Sequence, residues 1–168
     1  MHKVYLLLGS NKGNRRKFLL MAMYFLQQEI GSILRTSSVY ITAPWGNDNQ
    51  PKYLNQALII NTPHTPLQLL KKLQKIEKKL GRTNKNQYTS RTIDIDILFY
   101  DNLIFKSKNL EIPHPRLHLR NFTLRPLLEL EKSYSHPKLK KSIEELAKDS
   151  ADTLKVSIFA GSEVALFK

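Results

Sequence analysis

Apolar and polar positions follow two different periods along this chain, and the switches between them outline its elements. Lys3 to Leu8 is a nearly unbroken apolar run, which predicts a buried strand, and Gly9, Ser10 and Asn11 then supply turn chemistry. From Asn14 to Glu29, Phe18, Ala22, Phe25 and Leu26 recur at helical spacing until Gly31 closes the pattern. Leu34 to Ile41, rich in Ser, Thr and β-branched residues, predicts a half-exposed strand. Thr42 to Lys52 reads as a loop, yet it holds the single tryptophan, Trp45, as a ligand lid would. Tyr53 to Thr62 predicts a strand with Tyr53, Asn55, Ala57 and Ile59 on one face and Leu54, Leu58 and Ile60 on the other. Thr65, Pro66 and Gln68 start a helix with a capping box and a first-position proline; Leu69, Leu73, Ile76 and Leu80 form its seam, and Gly81 ends it.

Between Arg82 and Arg91 every residue but Tyr88 is polar or charged, which predicts a flexible basic loop. Thr92 to Tyr100 alternates as a strand, Asp101 and Asn102 turn the chain, and Leu103 to Phe105 is expected to return as a hairpin. Prolines extend Glu111 to Arg116. Ser142 with Glu145 opens a C-terminal helix, and Thr153 to Phe159 reads as a last strand. No internal repeat is present.

A length of 168 residues suits one domain, here 1–168, and 41% hydrophobic against 24% charged residues implies a packed core. The net charge of +13 favours anionic partners without choosing among them. The absence of cysteine excludes a disulfide framework, a thiolate metal site and a cysteine nucleophile together. The apolar run Val4–Leu8 is far shorter than the ~20 residues that span a bilayer, so the expected compartment is the cytoplasm.

The sharpest chemical signal is RTIDIDILF, Arg91 to Phe99. Period two turns Ile93, Ile95 and Ile97 one way and Asp94 and Asp96 the other, with the two acidic Cα atoms roughly 6.5 Å apart. A strand with a solvated polar side is the ordinary explanation of such alternation. Aspartate is disfavoured in strands, however, and aligned carboxylates repel, so a cation that neutralises the pair explains it better. Arg91 beside them offers the charge that phosphate needs. Tyr53 and Asn55 set an aromatic face and an amide side by side, as a heterocycle would require, although such pairs also occur on idle strand faces. Arg82, Arg91, Arg120 and His114 are suited to ringing a polyphosphate if the fold brings them together. The lysines on the helix after Thr65 read as its wet side, and GSNKGN, Gly9 to Asn14, reads as a turn at a pocket rim because it lacks the phosphate-loop spacing.

Taken together, GSN near the start, TAPWGNDNQPKYLNQA, QKIEKKLGR, RTIDIDILFY and IPHPRLHLRNFTLRPL resemble the 6-hydroxymethyl-7,8-dihydropterin pyrophosphokinase family of folate biosynthesis, in the family's motif order from about Val4 to Leu130. The resemblance implies an α+β sandwich of ferredoxin-like type, with helices packed on an antiparallel sheet. It implies a transfer of the β,γ-diphosphate of ATP to the pterin's hydroxymethyl oxygen, leaving AMP. By position, Asp94 and Asp96 resemble the carboxylates that hold two magnesium ions. Tyr53 and Phe122 match the aromatics that sandwich the pterin, Asn55 the residue that bonds its edge, and Thr42, Ala43 and Trp45 the loop lining that pocket. Arg82, Arg91 and His114 resemble ATP-phosphate ligands, with Gln74, Glu77, Ile97, Glu111 and Arg120 at further nucleotide positions. Arg82 and Arg91 join Asp94 and Asp96 in the expected catalytic set.

Tyr88 stands where many relatives carry tryptophan, and Asn84, Asn86 and Gln87 stand where basic residues are common, which implies a shorter and less basic lid. Pro115 and Leu119 are ordinary variation. The implied partners are the two small substrates, with no nucleic acid and no membrane, and the implied state is a monomer. Two rivals remain: an RNA-binding module, disfavoured because Asp94 and Asp96 would repel phosphate without metal, and a γ-phosphate kinase, which would release ADP.

Overall fold

A computed structural model describes residues 1–44, 49–83 and 90–160. In chain order the elements are β1 (His2–Ser10), α1 (Arg15–Glu29), β2 (Ser32–Thr36), β3 (Tyr40–Thr42), β4 (Tyr53–Thr62), α2 (Pro66–Lys79), β5 (Asp94–Tyr100), β6 (Phe105–Lys106), β7 (Glu111–Ile112), α3 (Asn121–Glu131), α4 (Ile143–Asp149) and β8 (Val156–Ile158). The main sheet runs β5-β1-β4-β3-β8, with β2 also paired to β4, and all of its pairs are antiparallel. Up to β5 the order is βαβββαβ, and with β2 and β3, which both pair with β4, counted as one interrupted strand it is the βαββαβ of a ferredoxin-like α+β sandwich.

The strands β1, β4 and β5 are buried on both faces. Val4, Leu6, Leu8, Leu54, Leu58 and Ile60 pack against the seams of α1 and α2, while Tyr5, Leu7, Ala57 and Ile59 pack against α3 and α4. The two-face reading of β4 therefore holds residue for residue. Leu69, Leu73, Ile76 and Leu80 are all buried, and Thr65 and Gln68 form the expected capping box. Gly31 has a packing reason, because a Cβ there would stand 2.0 Å from the Asn61 carbonyl oxygen of β4.

Several elements differ from their sequence pattern. β1 continues through Gly9 and Ser10, which pair with β4. The single strand expected over Leu34–Ile41 is split at Ser37, whose hydroxyl takes the Ala57 N–H at 3.0 Å and whose carbonyl takes the Gln56 amide at 2.8 Å. Phe105 and Lys106 pair with Glu111 and Ile112 in a separate ribbon, rather than folding back on β5. In β5 the register with β1 slips by one residue, so that Leu6 faces Ile97 and Tyr5 faces Phe99; Leu98 is the extra residue of a bulge. Leu98 and Phe99 thus both enter the α3/α4 core. The helix α3, with Pro126 inside it, has no counterpart among the predicted elements.

His136 closes the link between α3 and α4. It is 3% exposed, and its Nδ1 accepts the Lys138 and Leu139 N–H groups at 3.2 and 3.1 Å. Burial first, then His118 and Lys138, push its pKa down to about 4. The neutral ring is the one that fits, so its contribution to stability is complete above the ordinary value of 6.5 and is lost as pH falls toward about 4. Urea unfolding at about pH 7 and about pH 4.5 should show a His136-dependent loss approaching about 3 kcal/mol. His136→Asn keeps an oxygen acceptor but cannot titrate, and should flatten that part of the profile; an unchanged slope would rule the histidine out as its source.

Candidate active site

Gly9 sits at the open end of the central strand, with Asn55 opposite it on β4 and Asp94 opposite it on β5. Having no side chain, it leaves a hollow between those two neighbours, and a Cβ there would meet Asn55 Oδ1 at 3.0 Å. A cavity of ≈ 510 Å³ opens over this hollow and passes across the outer edge of β5 to the flank of α2. A neighbouring open depression of ≈ 580 Å³ is lined by Lys12, Arg15 and Lys52 among others, and none of the described residues lining it is a carboxylate.

The cavity centre is acidic and its rim basic. Asp94 and Asp96 project on one side of β5, as the alternation predicts, while Ile93, Ile95 and Ile97 enter the α1/α2 core. Asp94 is clasped by two arginines: Arg82 Nη1 donates to Oδ1 at 2.7 Å and Arg91 Nη1 to Oδ2 at 2.8 Å. Arg82 Nη1 also lies 2.5 Å from Glu77 Oε1, the oxygen that takes the edge N–H of Ile95 at 2.8 Å. Asp96 carries no hydrogen bond or ion pair among the described residues. Burial, then the charges of Asp94 and Glu77, hold it well above the usual carboxylate range. Glu77 is raised in the same way, by burial and then by Asp94.

The walls follow from the elements. Tyr53 and Asn55 come from β4, Thr42 and Ala43 from the end of β3, and Phe122 from the first turn of α3. Asn55 Nδ2 donates to Thr42 Oγ1 at 3.1 Å, which fixes the amide with its oxygen over Gly9. Arg120 lies over the Phe122 ring at 5.4 Å. On the other flank stand Gln74 and Glu77 of α2 with His114. His114 N–H donates to the Leu98 carbonyl on the β5 edge at 2.9 Å, and its Nδ1 accepts the Arg116 N–H at 3.2 Å, leaving Nε2–H as the ring's donor. Burial first, then Arg120 and Arg116, lower its pKa to about 4, so the ring is neutral.

Two expected residues stand off the cavity wall. Ile97 is buried under the α1/α2 layer, and its neighbour Ile95 lines the cavity instead. Glu111 faces Lys138 at 3.7 Å and Lys106 at 4.0 Å outside the cavity. Trp45, like Asn84, Asn86, Gln87 and Tyr88, lies outside the described residues.

The periodic pattern also passed over residues that matter here. Asn11, fully buried, accepts the Arg91 N–H at 2.8 Å, donates its own N–H to the Arg91 carbonyl, and reaches Gln50 and Pro51 through its amide. It ties the arginine-bearing segment to the loop before β4. Arg116, Asn109, Leu70 and Gln50 line the cavity as well; a polar residue that is buried in a turn carries no periodic signal.

With this geometry in place, known proteins offer a comparison. The model of the 7,8-dihydro-6-hydroxymethylpterin-pyrophosphokinase family matches residues 5–132, a stretch that stops short of α4 and β8. A 2-amino-4-hydroxy-6-hydroxymethyldihydropteridine pyrophosphokinase of Aquifex aeolicus is 41% identical over 145 residues, covering 86% of this chain and 90% of that protein. Its counterpart in Bacillus subtilis is 39% identical, over 75% of this chain and 76% of that protein. A crystal structure of Plasmodium falciparum HPPK-DHPS with pteroate superposes with a TM-score of 0.74 at 18% identity, over 88% of this chain and 44% of that one, and shares the fold.

The Glu77–Ile95 bond yields a stability prediction. Glu77→Gln keeps an oxygen for the edge N–H and should unfold in urea within about 1 kcal/mol of the parent, whereas Glu77→Leu, which orphans that N–H, should lose roughly 1–3 kcal/mol. Equal stability of the two variants would show that the hydrogen bond does not hold the edge of β5.

Proposed function

The chain belongs to the 7,8-dihydro-6-hydroxymethylpterin-pyrophosphokinase family, and on that premise we propose that the cavity across the β5 edge is where it brings ATP and the pterin together. It is a pyrophosphokinase of folate biosynthesis, acting on hydroxymethyldihydropterin. The observation that carries the site reading is the meeting of Asp94 and Asp96 with Arg82 and Arg91 between two dissimilar walls. One wall, with Tyr53, Asn55, Thr42, Ala43 and Phe122, suits a flat heterocycle that is stacked on its faces and bonded at its edge. The other, with Gln74, Glu77, His114 and Arg120, suits a nucleotide and its phosphates.

Asp94 and Asp96 fit magnesium. They are all-oxygen donors on one strand face, and Asp96 is a half-buried carboxylate without a donor partner among the described residues. Bound there, two magnesium ions would neutralise polyphosphate charge and lower the pKa of the incoming hydroxyl. Arg82 and Arg91 can then exchange their bonds to Asp94 for bonds to phosphate oxygens, which keeps each charge partnered before and after substrate arrives. Asn55 and the two aromatics orient the pterin so that its hydroxymethyl oxygen meets the β-phosphorus, and AMP leaves. His114 contributes a neutral Nε2–H donor, and no side chain is assigned as a dedicated general base. Alignment and charge stabilisation supply most of the acceleration in such transfers.

The reading carries with it a single working unit, a monomer in the cytoplasm with small-molecule partners alone. Among the described residues no helix is long and apolar enough to cross a membrane. The acidic face of β5 argues against a nucleic-acid platform.

Asp96→Asn should lower turnover by roughly three orders of magnitude or more, while its melting temperature stays at or above that of the parent, since no bonded partner is lost. Near-normal turnover would remove Asp96 from the mechanism. Product analysis should return AMP and a pterin diphosphate, with activity abolished by chelating magnesium; ADP as the nucleotide product would exclude diphosphoryl transfer.

A further inference from the structure

The segment from Asp152 to Phe159 touches both sides of the proposed pterin wall. Asp152 Oδ2 accepts the N–H of Asn121, the first residue of α3, at 2.8 Å, and Oδ1 accepts the Leu154 N–H at 3.0 Å. In return, Asn121 Nδ2 donates to the Asp152 carbonyl at 2.6 Å. A few residues on, β8 pairs with β3, Val156 opposite Thr42 and Ile158 opposite Tyr40, and the Phe159 N–H reaches the Val39 carbonyl at 2.8 Å. One end of the segment therefore grips the helix turn that presents Arg120 and Phe122, and the other backs the strand whose Thr42 holds the Asn55 amide.

The helix needs that grip. Its N-cap, Arg120, supplies no side-chain capping bond, and Pro126 lacks the N–H that would bond the Phe122 carbonyl one turn back. The Arg120 carbonyl takes the Thr123 and Leu124 N–H groups at 3.0 Å, but the first turn of α3 loses the helical bond to the carbonyl of Phe122, the residue it offers to the cavity. A carboxylate at that end satisfies an N–H and opposes the positive end of the helix dipole.

We propose that Asp152–Phe159 is a strap that sets the spacing of the pterin wall, with Asp152 as a positioning residue acting through Phe122. This rests on the assignment of that wall to the pterin. The strap lies outside the stretch matched by the family model, and its role is to preorganise the aromatic face before the pterin arrives.

The test is a double-mutant cycle on the full chain, read as pterin affinity and MgATP affinity at a temperature well below every variant's melting point. Asp152→Ala should weaken pterin binding about five- to tenfold and leave MgATP within about twofold. Asp152→Asn, which keeps one oxygen where the carboxylate has two, should fall between the parent and Asp152→Ala. In a Phe122→Ala background the Asp152→Ala effect should shrink below about twofold, because the side chain that it positions is gone. An equal effect in both backgrounds, or undiminished pterin affinity in Asp152→Ala, would overturn the proposal and leave the assignment of the wall intact. Undiminished affinity in Phe122→Ala alone would overturn the wall assignment, and the strap's role with it. If Asp152→Ala does not fold, the same cycle with Asp152→Asn decides.

Discussion

A carboxylate that is removed from water needs a counter-charge or a donor, and three of them, Glu77, Asp94 and Asp96, crowd the edge of β5. Much of the site's construction meets that demand. Arg82 bridges Glu77 to Asp94, Arg91 takes the other oxygen of Asp94, and the Ile95 N–H goes to Glu77. Asp96 is left as the acid whose charge nothing in the described protein meets directly. A core packed on both faces of the sheet makes such a cluster sustainable, because β1 and β4 hold β5 in register while the acids repel one another.

That constraint also explains the division of labour around the cavity. Basic groups that would otherwise be dispersed over a +13 surface are drawn inward by the acids. Asn11 fixes the backbone of Arg91 from the end of β1, and α2 carries Glu77 to meet Arg82. The aromatic wall needs no such charges and is assembled from a strand, a loop and a helix start.

Regular periodicity made much of this readable in advance. The two faces of β4, the capping box of α2 and the acid–isoleucine alternation of β5 each follow from side-chain direction alone, and the structure keeps all three. Where tertiary contacts decide, the pattern is mute. Pro126 disguises α3, whose buried Leu124, Leu127 and Leu130 make it a helix despite the lost hydrogen bond. Ser37 splits one expected strand because its hydroxyl and carbonyl engage β4 directly. Asn11 and Asp152 act through hydrogen bonds to residues far away in the chain, for which no local spacing exists. Of the residues that the family likeness points to, Tyr53, Asn55, Thr42, Ala43, Phe122, Gln74, Glu77, His114 and Arg120 line one cavity, whereas Ile97 is covered by helices and Glu111 turns to lysines.

The bulge at Leu98 divides β5 into two lengths that keep separate time. Ahead of it the strand is committed to chemistry, with acids on one side; past it, Phe99 is free to join Tyr5 and Tyr134 in an aromatic cluster that unbroken alternation would have denied it. A rearrangement of that aromatic packing is thereby separated from the phase of the acidic half. The extra residue behaves as an insulating joint, and it lets one continuous strand serve as two parts.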